Sequence, residues 1–315
     1  MIYLGLFAIA AGLAASLTPA VRALGRRWGL LDLPGERKIH TVSVPRIGGV
    51  GVTLAAVVAL AIVTALGWAS VADVTAWLPA LLGVVIVFGV GLRDDLKPVR
   101  PVVKLVFQVL AALVAVAMGV RIDHLTLFGT THPLGWLGVP ATVLWIVGLT
   151  NAFNLMDGLD GLATGLAIIA AATCGAVSIS RGDTQGGLLL VALLGALCGF
   201  LPYNFNPATI FLGDSGSLVV GHVLAVTAIN GWQKGATALA VAVPLLIFAL
   251  PISETVLSMI RRTRGQGIWH IFSADQQHLH YQLLGLGLSH RGAVLLLYVV
   301  SLSLSLLALA TMQMR

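Results

Sequence analysis

Residues 48–68, G-G-V-G-V-T-L-A-A-V-V-A-L-A-I-V-T-A-L-G-W, contain no charged side chain. A helix needs roughly 20 apolar residues to cross a hydrocarbon core, and this run supplies them. Comparable stretches recur along the chain, which is 58% hydrophobic and only 10% charged over 315 residues. Soluble domains carry roughly a quarter charged residues. In lipid every backbone polar group must be satisfied inside the segment, so runs of this kind fold as helices. A transmembrane barrel would instead show short alternating segments. The expected fold is all-α: a polytopic integral membrane protein, read as a single transmembrane domain over 1–315.

Hydropathy and turn signals place about ten spans, near 2–23, 48–68, 76–92, 101–120, 136–152, 160–180, 186–203, 215–230, 235–258 and 291–311. Arg22, Arg26 and Arg27 follow the first apolar run rather than precede it. That order predicts an uncleaved first span with its N-terminus outside, not a removable signal peptide. The loops 24–47, 93–100, 153–159, 204–214 and 259–290 then face inside, and they and their edges hold most of the Lys and Arg. The formal charge of +6 is thereby explained by topology, and no nucleic-acid partner is expected. An even number of spans returns the C-terminus to the outside as well. Cys174 and Cys198 lie in apolar segments with no pairing pattern.

The acids follow the same face. Asp94, Asp95, Asp157, Asp160, Asp214 and Asp275 fall on the inside or at adjoining helix ends, whereas Asp73, Asp123 and Asp183 read as isolated, solvated loop residues on the other side. Carboxylates concentrated where positive charge already gathers point to a site. A cation-coupled transporter would place its acids near the midplane, on symmetric broken helices. No inverted repeat is present, and G-G-V-G-V at 48–52 lacks the strand–turn–helix setting of a dinucleotide site.

Five stretches carry candidate chemistry. In G-L-R-D-D-L-K-P-V-R-P-V-V-K, adjacent Asp94 and Asp95 need cations or water to stay ionised together, and Lys104 lies one helical turn into the next span. In N-A-F-N-L-M-D-G-L-D-G, Asn151, Asn154 and Asp157 recur every three residues and share about a 120° sector of a helix. A break at Gly158 and Gly161 lets Asp160 turn into the same space. Amides and carboxylates together offer the hard oxygens that Mg²⁺ prefers, and helix capping accounts for only one or two of the four. In F-L-G-D-S-G-S, Asp214 is either a cap or a ligand, with Phe211 offering a flat face to a base or sugar. The last inside loop holds His278 and His280 in H-L-H beyond Arg261, Arg262 and Arg264. It has no cysteine to complete a zinc set, so an anionic, phosphate-bearing ligand fits it better. The first inside loop, G-E-R-K-I-H-T-V-S-V-P-R-I-G-G, adds Arg37, Lys38, His40 and Arg46, either for a ligand or as a polybasic surface for lipid headgroups.

Together these stretches resemble the polyprenyl-phosphate N-acetylhexosamine-1-phosphate transferases of glycosyltransferase family 4. The resemblance rests on R-K-x-H…P-R-x-G-G, D-D with Lys104 and Gln108, N-A-F-N-x-x-D-G-x-D-G, F-x-G-D-S-G-S and D-x-x-H-x-H, in that order. The undecaprenyl-phosphate N-acetylglucosaminyl 1-phosphate transferase branch fits better than the phospho-MurNAc-pentapeptide translocases, which carry three consecutive histidines. Gln276 and Tyr281 replace an Arg and a His of the nearer pattern, which bears on the sugar rather than the reaction.

The resemblance implies transfer of N-acetylhexosamine-1-phosphate, GlcNAc-1-phosphate first among candidates, from a UDP-sugar to a polyprenyl (undecaprenyl) phosphate, with release of UMP. It implies Mg²⁺, with Mn²⁺ as a substitute, held by Asp214 and Asn154. It assigns Asp94 to the lipid phosphate and Asp95 and Lys104 to placing the phosphates, with Asp157 supporting the metal. Asp160 and Phe211 would hold the uridine, and His278 and His280, with Arg37 and His40, would meet phosphate or sugar. The implied setting is a bacterial plasma membrane with a cytoplasmic-face site; the partners are the UDP-sugar, the lipid, the membrane and, as an open option, a second copy of the chain.

Overall fold

A computed structural model describes residues 1–33, 42–127, 130–233, 239–263 and 278–313. Helices account for almost all of it: α1 (Ile2–Arg27), α2 (Gly48–Ala65), α3 (Val71–Leu96), α4 (Pro101–Ala117), α5 (Gly138–Met156), α6 (Leu162–Ser180), α7 (Thr184–Asn204), α8 (Asp214–Gln233), α9 (Leu239–Ile247), α10 (Ala249–Thr263), α11 (Leu279–Gly285) and α12 (His290–Gln313). Seven helices among the described residues are long and apolar enough to cross a membrane, and Pro101–Ala117 and Asp214–Ile229 are shorter apolar helices.

The expected ninth span differs. It is two helices, α9 and α10, interrupted at Phe248. Pro251 has no N–H to give the carbonyl of Ile247, so the ladder loses a rung at that point. The α10 segment is inverted in polarity: Glu254, Thr255 and Ser258 are buried while Val256, Leu257, Met259 and Ile260 are exposed. Apolar residues outward and polar residues inward are what a helix bordered by lipid requires.

Two antiparallel pairs break the all-helical pattern, β1 (Leu31–Asp32) with β2 (Val44–Pro45) and β3 (His124–Leu127) with β4 (Thr130–Pro133). Strands this short leave no alternation to read. The acids of the opposite end were expected to be solvated, and Asp183 is not. It is 4% exposed in a tight α6–α7 turn, where its N–H donates to Ser178 O at 2.8 Å and its carbonyl accepts from Gly187. Asp73 instead closes a capping box with Ser70 at the start of α3. Asp123 pairs with Arg121 at 3.2 Å.

Helix α8 is the centre of the bundle, packed against α3, α5 and α6, and Leu218, Val220, Leu224, Ala225 and Ile229 are essentially inaccessible. Its first turn is where other elements converge. A Cβ on Gly49, in the first turn of α2, would collide with the backbone of Gly216 and Ser215, and one on Gly91 of α3 would lie 2.6 Å from Asp214 O. Small residues let the helix backbones approach that closely, and this brings the ends of α3, α5 and α7 and the starts of α2, α4, α6 and α8 to one face.

Candidate active site

Helix α3 ends in Asp94-Asp95, leaving terminal carbonyls without helical partners. Arg46 supplies them: Nε donates to Asp95 O at 2.8 Å and a terminal guanidinium nitrogen donates to Asp94 O at 3.1 Å. The neighbours of Arg46 bind the loop before α8. Phe211 N–H donates to Pro45 O, Gly48 N–H to Phe211 O and Gly49 N–H to Leu212 O, at 2.7–2.9 Å. The P-R-I-G-G stretch thus locks F-L-G-D against the end of α3. Gly213 sits at φ +72°, a conformation that glycine adopts without steric strain, and it turns the chain into α8.

Asp95 is buried at 3% exposure. One carboxylate oxygen accepts from Asp214 N–H at 2.9 Å, the other from Ser215 N–H at 3.0 Å. It caps the N-terminus of α8 from another helix, where the helix dipole also favours negative charge. Asp214 faces the opening. Its Oδ2 accepts from Lys104 Nζ at 2.6 Å and its Oδ1 from Asn154 Nδ2 at 3.1 Å. Asn154 Nδ2 also donates to Ser217 Oγ at 2.9 Å. Lys104 lies 3.5 Å from Asp94 Oδ2 as well, so one ammonium bridges the two carboxylates, while Asp94 Oδ1 accepts from Val99 N–H at 2.7 Å.

The N-A-F-N-L-M-D-G-L-D-G stretch divides in two. Asn151 pairs with Gln108 of α4, away from the acids, and Asn154 supports Asp214. Helix α5 then ends, with Asp157 as its C-cap. Loss of water pushes the Asp157 carboxyl up to about 8, with the like charges of Asp214, Asp95 and Asp160 adding to the effect. Gly161, at φ +80°, starts α6, and Tyr298 of α12 holds its carbonyl at 2.5 Å. The second turn between them presents Asp160, whose Oδ2 accepts from Asn206 Nδ2 at 2.9 Å and Ala208 N–H at 3.0 Å. The Asp160 N–H donates to His290 Nε2 at 3.0 Å.

These groups enclose a cavity of about 260 Å³ lined by Asp32, Arg46, Asp94, Asp95, Asp157, Asp160, Asn204, Phe211, Asp214, Tyr281 and His290, among others. Of the residues the sequence singled out, Asp94, Asp95, Asp157, Asp160, Phe211 and Asp214 meet there, and Asn154 and Lys104 reach it through Asp214. His278 and His280 do not line it. They are 7% and 1% exposed, with rings stacked at 5.5 Å. Burial, then the neighbouring His278, pushes the His280 imidazole down to about 4. Arg37, Lys38, His40, Arg264, Asp275 and Gln276 lie outside the described residues. Sequence reasoning missed Asp32, Asn204 and His290, which line the cavity. Asp32 and His290 had a signal, being polar residues at the mouths of spans on the inside face. Asn204 closes α7 and bonds to Thr164 at 2.6 Å, a pairing only the fold reveals.

Membrane-length helices with six carboxylates, a lysine and an arginine gathered at one end define a multi-pass membrane protein with an acid-rich cavity at that end. The model of "Glycosyl transferase family 4" matches residues 77–232, which contain most of that face. The chain is 35% identical over 295 residues to a Bacillus subtilis protein named "Probable undecaprenyl-phosphate N-acetylglucosaminyl 1-phosphate transferase", covering 93% of this chain and 80% of the relative. It is 35% identical to the Mycobacterium tuberculosis "Decaprenyl-phosphate N-acetylglucosaminephosphotransferase", over 90% of this chain and 76% of that one. A "Phospho-N-acetylmuramoyl-pentapeptide-transferase" of Limosilactobacillus reuteri is 34% identical over 76% of this chain and 75% of its own length. The chain belongs to glycosyl transferase family 4.

Proposed function

We propose that this protein transfers N-acetylglucosamine-1-phosphate from UDP-N-acetylglucosamine to a polyprenyl phosphate, forming polyprenyl-pyrophosphoryl-N-acetylglucosamine and UMP. The observation that carries this reading is the acid-rich cavity at the helix-end face, in a chain whose relatives over nine-tenths of its length are named for that transfer. Such a reaction needs a site open both to water, for the nucleotide, and to lipid, for the acceptor. The Lys and Arg of the adjoining loops favour the cytoplasmic side of a bacterial plasma membrane, with both termini outside; reporter fusions at each end would test this.

The cavity wall has more negative charge than Arg46 and Lys104 can offset, yet both substrates are polyanions. A divalent cation resolves that conflict, and the donor set fits one. Mg²⁺ is bound through one or two carboxylates together with substrate phosphates and water, rather than by a closed protein cage. Asp214 would hold it, with Asn154 orienting the carboxylate and Asp157 close by. Bound there, the ion would neutralise the pyrophosphate and act as a Lewis acid.

The remaining work falls to the chain's own groups. Lys104, between Asp94 and Asp214, supplies a fixed positive charge for the phosphates. Asp94 faces the cavity and positions the acceptor phosphate, whose oxygen forms the new bond to the β-phosphorus as the bond to the UMP oxygen breaks. Single displacement is the arrangement favoured here, because a covalent aspartyl intermediate would require the metal contact to be exchanged between steps. Asp160, fixed by Asn206 and Ala208, keeps its second oxygen for the nucleoside, and Phe211 offers its ring to the base. Positioning and charge neutralisation supply most of such a barrier reduction.

Purified protein mixed with a panel of UDP-N-acetylhexosamines, polyprenyl phosphate and Mg²⁺ should release UMP, fastest with UDP-N-acetylglucosamine. Release only from UDP-MurNAc-pentapeptide would favour the second reading suggested by the Limosilactobacillus relative. Silence from folded protein across the panel would sink both. Asp214→Asn should lose activity and Mg²⁺ dependence together, and an active variant refutes the metal assignment.

A further inference from the structure

Glu254 is 1% exposed in α10, beneath the lipid-facing side of that helix. A buried carboxylate is tolerated only when paired and fully bonded. Arg261 meets the need for charge, donating to Oε1 at 3.1 Å. The other two bonds go to the H-L-H turn: His278 Nδ1 lies 2.8 Å from Oε1, and Leu279 N–H donates to Oε2 at 3.1 Å. A carboxylate neither needs these partners for neutrality nor gains them without holding the turn in place.

From there a chain of contacts runs to the cavity. The His278 ring stacks on His280 at 5.5 Å and 10°. His280 packs on Gly158, where a Cβ would strike its imidazole, and neither of its ring nitrogens has a partner among the described residues. Tyr281 packs against His280 at 4.4 Å and itself lines the cavity. Gly158 directly follows Asp157.

We propose that Glu254 is a positioning residue for the transfer reaction: by holding His278 through Nδ1 and the turn through Leu279, it seats His280 and Tyr281 against the Asp157–Asp160 wall. The inference rests on the transferase reading above. A carboxylate accepting from Nδ1 keeps a proton on that nitrogen, so the ring is held in one orientation with Nε2 turned away from Glu254. Glu254→Gln keeps the volume but turns an –NH₂ toward one of these donors, so the hold on His278 or on Leu279 is lost without a cavity.

The test uses the full chain in detergent with the best donor from the panel. Glu254→Gln should lower kcat by at least about tenfold, the size of loss seen when the partner of an oriented, metal-ligating histidine is removed, in protein that stays folded at the assay temperature although its melting transition moves down, as the loss of a buried bond requires. In the His278→Ala background the Gln substitution should cost clearly less than it does in the wild type, because only the Leu279 bond is left for it to disturb. ¹⁵N-histidine spectra of the wild type, assigned by loss of the His278 signal in His278→Asn, should show a proton on Nδ1. This arm needs no Glu254 variant to fold. Wild-type turnover in Glu254→Gln, losses that multiply in the double variant, or an Nε2–H tautomer at His278 would each overturn the assignment while leaving the transferase reading intact. A wild type silent with every donor sinks the parent reading and this role together.

Discussion

Asp95 looks catalytic in the sequence, as half of an adjacent acid pair, and structural in the fold, as the cap of α8. Asp95→Asn separates the two roles. The side chain keeps its size, but an amide has one acceptor oxygen where the carboxylate has two. Either Asp214 N–H or Ser215 N–H, now 2.9 and 3.0 Å from a carboxylate oxygen, must then face an –NH₂ donor in a nearly buried position at the cavity wall. A hydrogen bond to a charged group contributes about 1.5–3 kcal/mol, and stranding its buried partner adds a comparable desolvation penalty. Taking the lower term alone, Asp95→Asn should be destabilised by about 1.5–3 kcal/mol, or about 10- to 150-fold in the unfolding equilibrium. Asp95→Ala, which loses both bonds, should be destabilised further.

Unfolding in mixed micelles, followed by tryptophan fluorescence, reads the global effect. Amide hydrogen exchange at Asp214 and Ser215 reads the local one, and it should accelerate. UMP release should fall too, because α8 starts at Asp214 and a frayed first turn moves that carboxylate away from Lys104 and Asn154. Activity loss should therefore track exchange. If Asp95→Asn unfolds like the wild type, keeps slow exchange at both amides and yet releases no UMP, the cap explanation is wrong. Asp95 would then touch substrate directly.

Three further outcomes follow from the same geometry. Gly49→Ala should cut the yield of monodisperse folded protein in size-exclusion chromatography: its Cβ meets backbone atoms of Gly216 and Ser215, which cannot rotate away, and overpacking of this kind costs about 1–3 kcal/mol or more. Lys104→Met should lower turnover at saturating Mg²⁺ without weakening the Mg²⁺ requirement in a titration, because the lysine is a fixed charge that competes for Asp214 rather than a ligand. Metal-free protein should lose thermal stability as pH rises. The Asp157 carboxyl stands at about 8 in the folded chain against 3.8 ordinarily, so the folded state holds the extra proton and its contribution is complete below about pH 4 and lost as pH rises through about 8. Mg²⁺ should restore stability at the alkaline end, and a flat metal-free profile would refute the buried-acid assignment.

The bundle was legible because lipid leaves few alternatives. An uncharged run such as 48–68 has one fold available to it, so helix number and order follow from length, and the acids sort to one end once charge sets the topology. The exception shows what hydropathy cannot see. Residues 235–258 average as one span, but Pro251 breaks the ladder, and Glu254 survives there only because Arg261, further along the same helix, and the H-L-H turn from beyond it satisfy it. The site was legible as a set of residues and not as a set of roles. Spacing put Asn151, Asn154 and Asp157 on one side of a helix, yet Asn151 turns to Gln108 and Asp157 lies past the helix end. Adjacency made Asp94 and Asp95 look equivalent, though an α-helix aims successive side chains about 100° apart. That rotation sends Asp95 under α8 and leaves Asp94 facing the cavity beside Lys104. Roles here depend on which neighbour each carboxylate meets. Those neighbours, Arg46 on the α3 carbonyls, Ser215 on Asp95 and Asn206 on Asp160, lie between 46 and 120 residues away in the chain, at separations no local motif encodes.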